Sequence, residues 1–120
     1  DQGVKALADA IEVNPTISQV LIAENLIGDK GVIALAKSLL LTPGITELAL
    51  NHNRIGDDGA KAIAEFFKFN ESLETVHLHE NKIGDEGAKA LADTLRVNQT
   101  LTLFLLGGNK LGDEGAKALA

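Results

Sequence analysis

The sequence predicts an α/β fold, a right-handed solenoid built from one strand–helix unit repeated along an axis. The stretch Asn-x-Ile-Gly-Asp occurs at 25–29, 53–57 and 81–85, and a fourth copy at 109–113 has Leu in place of Ile. Each copy begins 28 residues after the previous one, without an insertion. A fixed period of this size is typical of stacked structural repeats. Apolar residues precede each copy at strand spacing and follow it at helical spacing.

Each repeat contains a short strand just before its Asn. Apolar residues two positions apart, such as Leu48 and Leu50, have strand periodicity, and the residue between them faces the other way. A separation of 28 residues is too long for a hairpin, so neighbouring strands are parallel and joined by crossovers, which are right-handed as a rule. We predict strands at 19–23, 47–51, 75–79 and 103–107.

The crossover in each repeat is a helix. Apolar residues follow the spacing i, i+3, i+4 and i+7, as in Ala88, Leu91, Ala92 and Leu95. We predict helices at 2–13, 29–41, 57–69, 85–97 and 113–120.

Three repeated positions mark the ends of these helices. An aspartate stands where its oxygen would cap the first amides of its own helix, at Asp29, Asp57, Asp85 and Asp113. Glycine in the first turn costs helix stability, so a repeated glycine indicates close backbone approach to the neighbouring repeat, at Gly31, Gly59, Gly87 and Gly115. Asparagine tolerates the left-handed conformation at a helix C-terminus, as expected for Asn14, Asn70 and Asn98.

The core is predicted to be aliphatic, because Trp, Tyr and Met are absent. Leu, Ile, Val and Ala fill it, with Phe67 and Phe69 as larger fillers. Equivalent positions of successive repeats form a column of the sequence. One column holds asparagine at the end of every strand, at Asn25, Asn53, Asn81 and Asn109. Its amides are predicted to form a ladder, bonding backbone groups that neither strand nor helix satisfies.

Composition excludes several function classes. The net charge is −6 and no repeat carries a basic face, which argues against a nucleic-acid binder. The apolar stretches are broken by polar residues such as Lys37 and Ser38, so we expect no membrane insertion. Cysteine is absent, which fits a reducing compartment, and we predict a cytoplasmic, intracellular protein.

The repeat resembles a known family. The pattern Leu73-x-x-Val76-x-Leu78-x-x-Asn81-x-Ile83 is similar to the signature of leucine-rich repeats, over the whole chain. Its length and helical crossover resemble the ribonuclease-inhibitor-like subclass, which also occurs in nucleotide-binding innate-immune receptors and in the Ran GTPase-activating protein. The resemblance implies a curved solenoid with its strands on the concave face and its helices on the convex face.

We interpret residues 1–120 as a single array of about four repeats and expect it to be an internal segment of a longer protein. The reason is that residues in core columns lie near both ends of the sequence, as at Leu7, Ile11 and Leu119, whereas solenoids need polar caps.

No catalytic, cofactor-binding or metal site is predicted. The stretch 84–89 lacks the spacing of a phosphate-binding loop, and its acidic residues would repel phosphate. His77 and His79 point to one face of a strand and could bind a metal. However, their columns hold no Cys, Asp or Glu in the other repeats, so a polar binding surface is the better interpretation. We therefore expect neither enzymatic activity nor a cofactor.

Columns that vary between repeats are the strongest functional clue, since the fold does not dictate them. We predict a protein–protein interaction scaffold, a subunit or arm of a larger assembly, that binds its partner through the concave strand face. The alternative is a regulatory module of a GTPase activator or an innate-immune-type receptor. The predicted partner-binding residues are Glu47, Asn51, Thr75, His77, His79, Leu103 and Leu105. A second surface on the convex side is predicted at Ile33, Leu40 and Phe66.

Overall fold

Helices and strands alternate along the chain in the computed structural model, which describes residues 2–12, 18–41, 44–98 and 100–119. The helices are α1 (Gln2–Glu12), α2 (Asp29–Leu39), α3 (Asp57–Phe69), α4 (Asp85–Leu95) and α5 (Asp113–Leu119). The strands are β1 (Gln19–Leu21), β2 (Glu47–Ala49), β3 (Thr75–His77) and β4 (Leu103–Leu105). The predicted fold class, an α/β solenoid with parallel strands, is confirmed.

The four strands form one parallel sheet in the order β1-β2-β3-β4. Its register equals the repeat period, because Glu47 pairs with Gln19 on one side and with Thr75 on the other. Each repeat position therefore stands beside its own equivalents in the neighbouring repeats. A column of the sequence is a physical row of side chains.

Each strand is two residues shorter than predicted, although its hydrogen bonds continue past the last strand residue. Ile22 N–H donates to the Ala49 carbonyl at 3.0 Å, and Glu24 N–H donates to the Asn51 carbonyl at 3.0 Å. The chain then leaves the strand direction at one column of left-handed residues, with φ between 57° and 68°: Glu24, His52, Glu80 and Gly108. The predicted helix ends at Val13 and Ala120 lie outside the described residues.

The core lies between the sheet and the helices. Val20, Leu48 and Val76 fill it from the strands, and Phe67 is buried as predicted. Phe69 is not a core residue, since 66% of it is exposed. It is the last residue of α3, and the inward positions of that turn are already occupied by Phe66 and Phe67.

The asparagine ladder is confirmed. The Nδ2 of Asn81 donates to the carbonyls of Leu50 and Leu78 at 2.9 and 3.1 Å, and its Oδ1 accepts from Ile55 N–H at 3.0 Å. Asn53 bonds the preceding repeat in the same way. Each of these buried amides thus satisfies backbone groups of two adjacent repeats.

The aspartate column caps helices, but the predicted direction is wrong. The N-cap residues of α2, α3 and α4 are Gly28, Gly56 and Gly84, without a side-chain cap bond. The Oδ1 of Asp57 instead accepts from Gly84 N–H at 2.8 Å and from Gly87 N–H at 3.0 Å, both at the start of the next helix. Asp29 and Asp85 make the equivalent bonds. Adjacent repeats stack so closely that the carboxylate of each aspartate reaches the first turn of the helix in the next repeat.

The glycine column is explained, as predicted, by close approach between the helix starts of adjacent repeats. A Cβ at Gly87 would lie 2.8 Å from the Ala60 Cβ, 2.9 Å from the Asp57 Oδ1 and 2.9 Å from the Ile83 Cγ2. Distances this short leave no room for a side chain.

The asparagines after the helices do not use the left-handed conformation. Asn70 is extended, with φ −89° and ψ 133°, and its Oδ1 accepts from the backbone N–H of Ser72 and Leu73. Asn98 bonds the N–H groups of Thr100 and Leu101 in the same manner. These side chains fix the turn into the next strand. Asn14 lies outside the described residues.

Candidate protein-binding surface

The face of the sheet turned away from the helices, here called the open sheet face, carries the predicted binding residues. Val76 points into the core, so its neighbours Thr75 and His77 point outward. All seven predicted residues are half-buried or exposed. The open sheet face comprises Gln19, Leu21, Glu47, Ala49, Asn51, Thr75, His77, His79, Leu103 and Leu105.

A polar network crosses the first three strands of this face. The Oε1 of Glu47 accepts from the Gln19 Nε2 at 3.1 Å, and the other carboxylate oxygen lies 3.4 Å from the His77 Nε2. Glu47 therefore ties β1 to β3 through its own strand. The contacts hold the three side chains in place ahead of any partner, which lowers the entropy lost on binding.

Three imidazole rings continue the network at the strand ends. The ring centroids of His77 and His79 are 5.9 Å apart, and those of His79 and His52 are 5.6 Å apart. The Nδ1 of His79 is buried and has no hydrogen-bond partner among the described residues. A buried polar atom without a partner is unusual in a folded protein and often marks a functional position.

The far end of the open sheet face is apolar. Leu103 and Leu105 are both exposed on β4, next to Thr75 and His77 on β3. The face thus changes from charged on β2, through imidazole on β3, to aliphatic on β4. Interfaces combine polar groups for orientation with apolar area in this way.

The histidines lack the further ligands that a metal centre would need within the described residues. Among residues 2–12, 18–41, 44–98 and 100–119, no three His, Cys, Asp or Glu side chains converge so that they could hold an ion. Structural zinc sites in proteins commonly use four ligands. The imidazoles can instead donate and accept hydrogen bonds from a protein partner.

The predicted second surface needs a correction at Phe66. Leu40 is exposed and Ile33 is half-buried, but only 1% of Phe66 is exposed. Its column is buried between helices rather than exposed to solvent, as Ser38 and Thr94 in that column show. The Thr94 hydroxyl bonds the Ala64 carbonyl of the preceding helix at 3.3 Å. Phe66 cannot act as an exposed contact.

Two groups of surface residues are missing from the predicted binding residues. Gln19 and His52 extend the polar network, and only the repeat register could have shown that they adjoin Glu47 and His79. Exposed apolar side chains also line the C-terminal ends of the helices. Their signal was a column filled by Val13, Leu41, Phe69 and Val97.

Sequence comparison identifies the family. Residues 13–36, 45–64, 69–92 and 97–120 match the family described as Leucine Rich repeat. The chain belongs to the leucine-rich repeat family. The four matched segments take up more than half of the sequence, and each contains one Asn-x-Ile/Leu-Gly motif. No curated protein matches the chain.

Solved structures of other proteins share the fold at low sequence identity. Actin-binding site 2 of leiomodin-1 has a TM-score of 0.81 and 22% identity, covering 93% of this chain and 67% of that one. The tropomodulin C-terminal domain of Caenorhabditis elegans has a TM-score of 0.83 and 16% identity, covering 97% and 72%. An internalin from Listeria monocytogenes has a TM-score of 0.52 and 18% identity, covering 97% and 35%. Identities this low establish the likeness of the fold alone.

None of the helices within the described residues has both the length and the apolar character needed to cross a membrane.

Proposed function

We propose that this leucine-rich repeat protein is a protein–protein interaction scaffold that binds its partner through the open sheet face. The observation that carries the proposal is the contrast between columns. The Asn, Asp and Gly columns repeat one residue type, whereas each strand presents different side chains on the open sheet face. Folding requires the first set, and partner recognition accounts for the second.

The partner-binding residues proposed are Glu47, Asn51, Thr75, His77, His79, Leu103 and Leu105. Glu47 and His77 are already oriented by their mutual contact at 3.4 Å. Leu103 and Leu105 supply exposed apolar area beside them. A partner that fits would place polar groups over β2 and β3 and an apolar side chain over β4. These contacts hold a partner without changing any covalent bond in it, so we propose binding and not catalysis.

We further propose that the repeats are of the ribonuclease-inhibitor-like subclass. The support is the constant 28-residue period, together with full helical crossovers, of which α2, α3 and α4 have 11, 13 and 11 residues. This subclass includes regulators of GTPases and innate-immune receptors, so a regulatory module of that kind is the second candidate function. We also propose an intracellular location, which the absence of cysteine supports.

Actin is one partner to test. The similar structure of leiomodin-1 is an actin-binding site, but the likeness concerns the fold, and this chain has its own residues on the open sheet face. A test therefore has to include actin and an unbiased search together.

The experiment is affinity capture with the immobilised chain, followed by affinity measurement with each captured protein and with purified actin. The test variant is His77→Ala with Leu105→Glu, which removes one oriented imidazole and places a charge on the apolar end. The control is Lys61→Ala with Glu86→Ala, two exposed positions on the helices. We expect the test variant to abolish binding with an unchanged circular dichroism spectrum, while the control binds like the wild type.

Equal loss of binding in both variants would point to a different surface. Unchanged binding by the test variant, with loss on changing Leu40, would make the helix side the working surface and overturn the proposal.

A further inference from the structure

A row of exposed apolar side chains follows the C-terminal ends of the helices. Leu41, Phe69 and Val97 are 63%, 66% and 68% exposed. They stand 28 residues apart, so the repeat register places them in one row, here called the apolar edge. Single exposed apolar residues are normal, but a contiguous set marks an interaction site.

Two grooves flank the segment that contains Phe69. One, of about 280 Å³, is lined by Leu39, Leu40, Phe66 and Phe69. The other, of about 340 Å³, is lined by Phe67, Lys68, Val97, Asn98 and Thr100. Asn70 and Glu71 line both grooves. Within the apolar edge, the Phe69 segment is thus a ridge with a depression on either side, a shape that can receive the same ridge of a second copy.

Two opposite charges stand close to Phe69, and both line the second groove, at Lys68 and Glu71. The Lys68 ammonium lies 5.7 Å from the centroid of the Phe69 ring, and Glu71 follows two residues after Phe69. Within the parts of the chain that the structure describes, neither Lys68 nor Glu71 takes part in an ion pair. Both charges are therefore available for an ion pair with another molecule, Lys68 from its position over the Phe69 ring.

We propose that the apolar edge is self-complementary and that two copies of the chain associate through it, about a two-fold axis near Phe69. A two-fold axis brings the same patch of both copies together, so that residue i meets residue j and j meets i. Phe69 then packs on Phe69 of the second copy, and Leu41 packs on Val97. The same axis directs Lys68 of each copy toward Glu71 of the other.

The size of the patch fits a reversible dimer. The Phe69 side chain has roughly 150–250 Å² of surface, and Leu41 and Val97 are smaller. Each of the three is about two-thirds exposed, so with Leu40 beside them they supply on the order of 400 Å² of apolar area. Stable interfaces bury about 800 Å² per partner, with an apolar core and a polar rim. The apolar edge is sufficient for the core, and Asn70, Glu71 and Asn98 can supply the rim.

This surface is distinct from the open sheet face. It lies at the helix ends, where Phe69 closes α3, and uses none of the seven residues proposed for partner binding. A dimer formed here leaves the sheet accessible and would present two copies of it, which raises the avidity for a partner with two sites.

The test is sedimentation velocity of the chain over a wide concentration range. We expect a monomer–dimer equilibrium in the wild type. Phe69→Glu and the milder Phe69→Ser should each raise the dimer dissociation constant by about tenfold or more. The control is Leu26→Glu, also at a 70% exposed leucine but in a strand-to-helix loop, which should leave the constant unchanged. Phe69 is exposed, so both of its variants should keep the wild-type melting temperature at dilutions where the wild type is monomeric.

A charge exchange tests the two-fold arrangement itself. Lys68→Glu alone and Glu71→Lys alone should each weaken the dimer by about two- to fivefold, as expected for exposed ion pairs. The double variant should restore it. A wild type that stays monomeric at all concentrations would overturn the proposal, as would a dimer that Leu26→Glu disrupts and Phe69→Glu does not. Failure of the double variant to recover would overturn the two-fold pairing. If the chain is a monomer and binds another protein through Phe69, that protein and not a second copy occupies the apolar edge, and the proposal is overturned.

Discussion

The asparagine and aspartate columns contrast with the open sheet face, although both run across the same four repeats. In the columns, Asn53 and Asn81 are buried and repeat the same bonds to the neighbouring backbone. On the open sheet face, Glu47, Thr75 and Leu103 share one row but differ in charge, polarity and size. Identical side chains with identical contacts are what the fold requires of every repeat. Different side chains in one row are free of that requirement and available for recognition.

The largest loss of stability is expected where the ladder is buried. Asn81→Ala would leave the Leu50 carbonyl, the Leu78 carbonyl and the Ile55 N–H without the partner they have now. Each orphaned group costs roughly 1–3 kcal/mol, so we expect the free energy of unfolding to fall by about 3–5 kcal/mol in a urea titration. The matched control is Asn25→Ala, at an exposed member of the same column. Equal losses in the two variants would show that burial of the ladder is unimportant.

The glycine column gives the next largest effect, with opposite signs at two of its positions. Gly87→Ala places a Cβ within 2.9 Å of three neighbouring atoms and should destabilise the protein by about 1–3 kcal/mol. Gly3→Ala, at the same repeat position in α1, meets nothing within 4 Å and should stabilise it by about 0.5–1 kcal/mol. Thermal melting of both variants measures the difference. Two changes of the same sign would contradict the assigned contact between repeats.

The capping role of the aspartate column can be tested by locating which helix is destabilised when one aspartate is removed. Asp57→Ala removes the acceptor of the Gly84 and Gly87 N–H groups and should cost about 1–2 kcal/mol, as lost N-caps do. Amide hydrogen exchange should accelerate first at the start of α4, not in α3 where Asp57 itself lies. Faster exchange confined to α3 would restore the discarded assignment, in which each aspartate caps its own helix.

The smallest effect is expected on the open sheet face, and its sign is informative. His79→Leu removes a buried nitrogen that has no partner among the described residues, so stability should rise slightly, by less than about 1 kcal/mol, while partner binding falls. A stabilising change that weakens function is typical of binding sites. A clear loss of stability would instead assign His79 a structural role.

Much of the fold could be predicted because one period fixes so many positions. The strands and helices follow from columns that stay apolar, and the ladder at Asn81 and the close approach at Gly87 follow from columns in which the residue type does not change. The open sheet face followed as well, because alternate residues of a strand point to opposite faces.

The errors arose where a column alone does not specify which neighbour a side chain contacts or whether it points inward. Asp57 lies near the start of two helices, and the sequence does not tell which one it caps. Phe66 shares a column with small residues, which suggested an outward position, although small residues also occur where a neighbouring turn leaves little space. Phe69 was assigned to the core because of its size, but the end of α3 had already filled its inward positions with Phe66 and Phe67.

The most direct test of the central contrast is the unfolding free energy of a variant with alanine at all seven open-face positions: Glu47, Asn51, Thr75, His77, His79, Leu103 and Leu105. We predict that this sevenfold variant folds and loses less free energy of unfolding than the single change Asn81→Ala, measured in the same urea titration. A sevenfold variant that is unfolded, or that loses more than Asn81→Ala, would contradict the claim that the open sheet face is kept for recognition rather than for the fold.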